Sequence, residues 1–62
     1  MNFDISVEIH AIIGVCCVEK SEKIYTVFAR NEREAINETL DIVYKSLEEN
    51  QEFISLTVIS AY

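Results

Sequence analysis

The first ten residues alternate between apolar and polar side chains. Odd positions are apolar and even positions polar, in the order Phe3, Asp4, Ile5, Ser6, Val7, Glu8, Ile9, His10. This period of two predicts a half-buried strand with one wet face. From Ala11 to Val18 both faces become apolar, which is typical of a central strand or of one covered on its second side. Gly14 lies within this apolar run and indicates either a bulge or a close backbone approach.

A second strand is predicted directly after a polar break. The segment Glu19–Glu22 indicates a hairpin loop, although it lacks the Asn-Gly pair of the tightest turns. Residues Lys23–Arg30 then contain consecutive β-branched and aromatic side chains, which favour a strand. Across so short a loop, this strand is expected to pair antiparallel with the first.

Residues 32–49 carry the pattern of an amphipathic helix. Asn31 is a suitable N-cap, and Glu34 follows three residues later, as in a capping box. Asn50 is a candidate for the C-terminal cap. Ala35, Thr39 and Tyr44 are expected to flank the buried stripe. That stripe recurs at helical spacing and comprises Ile36, Leu40, Val43 and Leu47.

The last segment, Gln51–Tyr62, predicts a third strand. Ile54, Leu56 and Val58 would share one face, whereas Phe53 and Ile59 break the alternation. The element order is therefore β-β-α-β in a single α+β domain, residues 1–62. A right-handed crossover through the helix places the third strand beside the first. The expected fold is a three-stranded antiparallel sheet of order 2-1-3 with one helix packed on one face.

A single helix can cover only one face of this sheet, so the other face should expose apolar side chains. Contiguous apolar surface of this kind usually marks a partner surface. We therefore expect a homodimer, formed by sheet-on-sheet packing or by edge pairing; the alternative is a monomer with a patchy second face. The predicted dimer interface comprises Ile12, Cys16 and Val18, with Phe28, Phe53 and Ile59 as further candidates for exposure.

Composition and motifs argue against an enzyme. A chain of 62 residues has little room for both a pocket and a core. The single histidine, His10, is expected on the wet side of its strand without a nucleophile nearby, and Cys16 and Cys17 are read as reduced, partly buried thiols. No metal-ligand spacing and no phosphate-binding loop is present, so no cofactor or metal is expected. An acidic N-terminus and no long apolar segment predict a cytoplasmic protein without a signal peptide.

The charge is concentrated in one part of the chain. Of a net charge of −6, residues 31–52 carry −5, from seven acids and two bases. On a helical wheel the outer face gathers most of these acids, with Lys45 the only base among them. Like charges four residues apart, as at Glu34 and Glu38, slightly destabilise a helix, which suggests that the acids have a use beyond solubility. The predicted partner-binding residues are Glu34, Glu38, Asp41, Glu48 and Glu49.

An acidic segment over 31–52 within a compact, β-rich chain resembles the small acidic proteins with which bacteriophages disable host machinery. It is most similar to the DNA-mimic type, such as inhibitors of the host nucleoid protein HU. The resemblance implies a dimeric, non-enzymatic inhibitor that occludes the basic DNA-binding surface of a histone-like protein in the host cytoplasm, without binding nucleic acid or membrane itself. The alternative is a small oligomerisation or adaptor module that acts through its apolar sheet face and edge strands, with the acids serving only solubility.

Overall fold

The computed structural model describes all residues, 1–62, and has the predicted architecture. Strand β1 spans Asn2–Ile13, β2 spans Cys17–Phe28, helix α1 spans Glu32–Ser46, and β3 spans Gln51–Ala61. The three strands form one antiparallel sheet of order β2-β1-β3, so the α+β fold, the central first strand and the sheet order are confirmed. The strands are long for so short a chain, and the molecule measures 42 × 19 × 13 Å.

The hairpin turn between β1 and β2 lies earlier than predicted. The chain reverses at Gly14–Cys16, and Ile13 pairs with Cys17. Gly14 adopts a φ of 72°, a left-handed conformation that glycine alone reaches at little cost. The prediction of a loop at Glu19–Glu22 is wrong, because these residues continue β2 and pair with β1. The apolar run that suggested a central strand is instead the tip of a long hairpin.

The core lies between the sheet and the helix. Its largest fully buried side chains include Ile5 and Val7 of β1, the central strand. Phe53, Leu56 and Val58 of β3 pack at the margin of this cluster. The complete set of buried apolar residues is Phe3, Ile5, Val7, Val27, Ala29, Ala35 and Val43.

The buried stripe of α1 is centred on smaller residues than predicted. Ala35, Thr39 and Val43 are buried, whereas Ile36 and Leu40 are only half-buried. Thr39 can occupy the centre because its hydroxyl donates to the Ala35 carbonyl at 2.9 Å, which leaves no buried polar atom unpaired. Small side chains along this line allow the helix to lie close to the sheet.

The helix begins as predicted and ends earlier. Asn31 is the N-cap, and its Oδ1 accepts from the Glu34 backbone N–H at 2.9 Å. The prediction that the helix reaches residue 49 and is capped by Asn50 is wrong, since Leu47 is the C-cap with extended backbone. Gln51 holds the turn that directs the chain into β3. Its backbone N–H donates to the Glu48 carbonyl, and its side-chain Oε1 accepts from the Glu48 backbone N–H.

Two irregularities explain why the alternation of β3 is imperfect. The pairing with β1 shifts once between Ser55 and Phe53 and once between Ser60 and Val58, so that Ile54 and Ile59 have no opposite residue. Each shift is a β-bulge that adds one residue to the strand. The first bulge places Phe53, rather than the predicted Ile54, on the helix side with Leu56.

Candidate protein-binding surfaces

The predicted acidic residues of α1 share one flank of the helix, but bases accompany them. At 100° per residue, Glu34, Glu38 and Asp41 lie within roughly 60° of one another, well away from the buried stripe. Glu34 is half-buried and accepts from Arg30 Nε at 3.1 Å. Asp41 pairs with Lys45 at 3.0 Å. Glu38 is exposed and has no ion-pair partner, so it is the one uncompensated carboxylate among the three.

The other two predicted acids, Glu48 and Glu49, do not extend this helical row. Both follow the end of α1, in the turn that leads to β3, and both are exposed without an ion-pair partner. Glu52 lies next to this turn and pairs in the sheet with His10. The acidic surface is therefore made of two parts: a helical flank with compensating bases and an unpaired cluster at the helix C-terminal end.

The hairpin tip, residues 12–18, is the largest exposed apolar segment. It contains no charged residue, and it projects beyond the start of β3, whose pairing with β1 ends at Ala11. Ile12 and Val18 lie opposite each other in the sheet, with 55% and 57% of their surface exposed, and Val15 at the turn is fully exposed. Of the predicted interface residues, Ile12 and Val18 are thus neighbours, and Cys16 lies in the turn.

The sequence contained a signal for this tip that the strand prediction did not use. Gly14 is the only glycine of the chain, and it stands at the centre of the apolar run. A single glycine between two strand-forming segments indicates a turn at least as well as a bulge. Read in that way, the run becomes an apolar hairpin end and not a buried strand.

The sheet face opposite the helix is mainly polar, contrary to the apolar face expected. Ser6 Oγ donates to Glu22 at 2.6 Å, and Glu8 lies 2.7 Å from His10 Nε2. Asp4 is the acceptor of three hydroxyl groups, those of Thr26, Ser60 and Tyr62. Apolar side chains are confined to the margins of this face.

Two of the further candidates for apolar exposure, Phe28 and Ile59, are exposed as expected. The third, Phe53, is not, because it lies on the helix side with its ring centroid 5.8 Å from that of Tyr44. Ile24 on β2 is exposed and was not among the candidates. The exposed apolar residues therefore follow β2 and the hairpin tip more than the centre of the sheet.

Nucleophilic and metal-ligating side chains do not converge on a site. Cys16 and Cys17 are free and exposed, so the expectation that they are partly buried is wrong. No group of three or more histidine, cysteine or acidic side chains is arranged to hold a metal ion. An open, polar depression lies between Ser6, Glu22 and Thr57 on the sheet face.

Comparison with known proteins adds no relative. No protein-family model, no curated protein and no solved structure matches the chain. The one helix is neither long nor apolar enough to cross a membrane.

Proposed function

We propose that the protein is a non-enzymatic binding protein whose acidic surface occludes the basic DNA-binding surface of a histone-like protein, in the manner of a DNA mimic. The observation that carries the proposal is the exposure of Glu38, Glu48 and Glu49 without an ion-pair partner, in a segment with a net charge of −5. Complementary potentials accelerate association with a cationic partner and disfavour anionic ones. A small acidic phage protein acting in a host cytoplasm fits this description.

The two ion pairs of the helical flank refine which residues should contact the partner. Arg30 and Lys45 are 87% and 75% exposed in their pairs, so both bonds are solvated and individually weak. A cationic partner must compete with these bases for Glu34 and Asp41. Glu38, Glu48 and Glu49 need no such exchange and should contribute more to binding.

Displacement of purified bacterial HU from a fluorescent DNA duplex tests the proposal. The native protein should release the duplex, and release should weaken steeply with added salt, because exposed charges are screened. The double reversal E38K/E49K should weaken displacement about tenfold or more. The control E8K/E19K lies outside residues 31–52, changes the net charge equally, from −6 to −2, and should weaken displacement much less.

Equal losses in the two double variants would show that only net charge matters and would refute a defined acidic surface. Failure of the native protein to displace DNA from HU at low salt would refute the assigned partner. Circular dichroism of each variant separates loss of binding from loss of folding.

The alternative function, an oligomerisation or adaptor module, is favoured by the exposed hairpin tip. Ile12, Val15 and Val18 form an apolar end that the chain itself does not cover. Under this alternative, I12K should abolish oligomerisation or adaptor binding, and E38K/E49K should leave it unchanged. The two functions therefore predict opposite outcomes for the same two variants.

A further inference from the structure

The outer edge of β2 is long, regular and unpaired. All twelve of its residues pair with β1 without a register shift, whereas the other edge strand, β3, carries two bulges. The Ala29 backbone N–H donates to the Met1 carbonyl at 2.9 Å just beyond β2. Antiparallel bonding alternates along a strand, so the odd-numbered residues of β2, in step with Ala29, bond to β1. The even-numbered residues therefore direct their backbone N–H and C=O groups outward. An edge of this kind is a template for another strand.

Charged residues of β2 that are equally distant from Ser21 on its two sides carry opposite charges. The central segment reads Glu19, Lys20, Ser21, Glu22, Lys23. When a second copy of this strand is laid antiparallel with Ser21 opposite Ser21, Lys20 faces Glu22 of the second copy, and Glu19 faces its Lys23. Each contact occurs twice because the arrangement is two-fold symmetric. Opposite charges directly across an antiparallel pair are stabilising.

Neighbouring registers lack this complementarity. A two-fold axis perpendicular to the sheet must pass midway between one residue of the strand and the same residue of the second copy. Centring the pair on Lys20 or Glu22 brings two identical charges into direct opposition, and centring it on Glu19 or Lys23 does the same. Within the charged segment, only the register centred on Ser21 avoids a repulsive pair.

The apolar residues of β2 fit the same register. Val18 and Ile24, which are 57% and 59% exposed, would lie opposite each other on the polar face of the sheet. Cys17 would face Tyr25 on the helix side. Pairing therefore reduces the exposure of apolar side chains that a single chain leaves in water.

A repulsive contact within the single chain points the same way. Glu8 and Glu22 lie directly opposite each other on β1 and β2. His10 lies beside Glu8 at 2.7 Å, but Glu22 has no basic partner within its own chain. In the register centred on Ser21, Lys20 of a second copy supplies that partner.

We propose that two copies of this chain pair antiparallel through β2, with their Ser21 residues facing each other across the two-fold axis, to form a continuous six-stranded sheet. Lysines on an edge strand commonly prevent such pairing. Here each lysine meets a glutamate in one register only, so the charges select that register. The inference does not depend on the acidic surface, which lies on other elements.

A charge-swap experiment tests the pairing. Sedimentation equilibrium should show a dimer of the 7.1 kDa chain at micromolar concentration. K20E and E22K should each weaken dimerisation about tenfold, because each creates two like-charge pairs. K20E/E22K restores both pairs with reversed polarity and should recover the native dissociation constant. K45E and E38K, on the helix, match the two single changes in net charge and should have little effect.

Disulfide trapping tests the register directly. Ser21 forms a non-hydrogen-bonded pair with its copy in the proposed register, and Cα atoms in such pairs lie about 4.5 Å apart, within disulfide reach. In a C16S/C17S background, S21C should form a covalent dimer rapidly under mild oxidation. S55C, an equally exposed position on β3, is the control for random collision.

Three results would overturn the proposal. They are a monomer at millimolar concentration, a failure of K20E/E22K to recover dimerisation lost in the single variants, and cross-linking of S55C as fast as S21C. The last result would move the interface to β3. None of these results bears on displacement of DNA from HU by the acidic surface, so the two proposals fail separately.

Discussion

Glu8 and Glu22 face each other across β1 and β2 on the polar side of the sheet. Like charges in this position destabilise a sheet by some tenths of a kcal/mol. In an S6A background, which removes the Ser6 hydrogen bond to Glu22, E22Q should therefore raise the free energy of unfolding of the monomer by about 0.3 kcal/mol. Urea titration at nanomolar concentration by fluorescence measures the change.

E19Q is the matched control for this prediction, since Glu19 lies on the same strand opposite the uncharged Ala11. It should leave stability unchanged. If E22Q lowered the stability of the S6A protein, repulsion between Glu8 and Glu22 would be ruled out.

Asp4 ties the two outer strands to the central one through side chains. It accepts from Thr26 of β2 at 2.8 Å and from Ser60 of β3 at 3.0 Å. D4A should lower the free energy of unfolding by about 1–2 kcal/mol, as expected for bonds to a charged acceptor. D4N keeps an acceptor oxygen and should lose less; equal losses in D4A and D4N would contradict this account.

Gly14 sets the position of the hairpin turn. A Cβ built at this residue meets nothing within 4 Å, so substitution is opposed only by the left-handed backbone. G14A should cost about 1 kcal/mol, and G14N less, because asparagine tolerates this conformation better. Thermal unfolding followed by circular dichroism ranks the three proteins, and the order native, G14N, G14A is expected.

Asn31 stabilises the start of α1 by capping the Glu34 N–H. N31A should cost about 1 kcal/mol, whereas N31S or N31D should be almost neutral. Asn37 is exposed in the middle of the same helix and offers the control, since N37A removes no cap. A loss in N37A as large as in N31A would rule out capping as the cause.

The sequence predicted the topology well because the strongest patterns were local. Alternation from Phe3 to Ile9, the cap at Asn31 and the expectation of a right-handed crossover are sufficient to predict the order β2-β1-β3. Polarity alone misplaces the hairpin turn, because the turn depends on the left-handed conformation of Gly14. A charged segment can be a strand when, as at Lys20 and Glu22, its side chains lie on a wet edge.

The candidate surfaces were harder to predict than the fold. The bulges at Ile54 and Ile59 change which side chains share a face, and a strict period of two cannot represent an inserted residue. The sequence indicates only one of the two ion pairs on the acidic flank. Lys45 lies four residues after Asp41 within the helix, whereas Arg30 reaches Glu34 from outside the helix. Thr39 at the centre of the buried stripe depends on a hydroxyl bond that hydrophobicity does not indicate.

The bulges of β3 also determine how far an assembly of this protein could grow. Once two β2 edges have joined, the only edges left are the two β3 strands, and each is kinked at Ile54 and Ile59 where pairing loses its register. Extended polymerisation needs a flat, repeating border on both sides of the subunit, and this subunit offers it on one side only. The same insertions that disturb the sequence pattern would therefore terminate fibre growth at two chains.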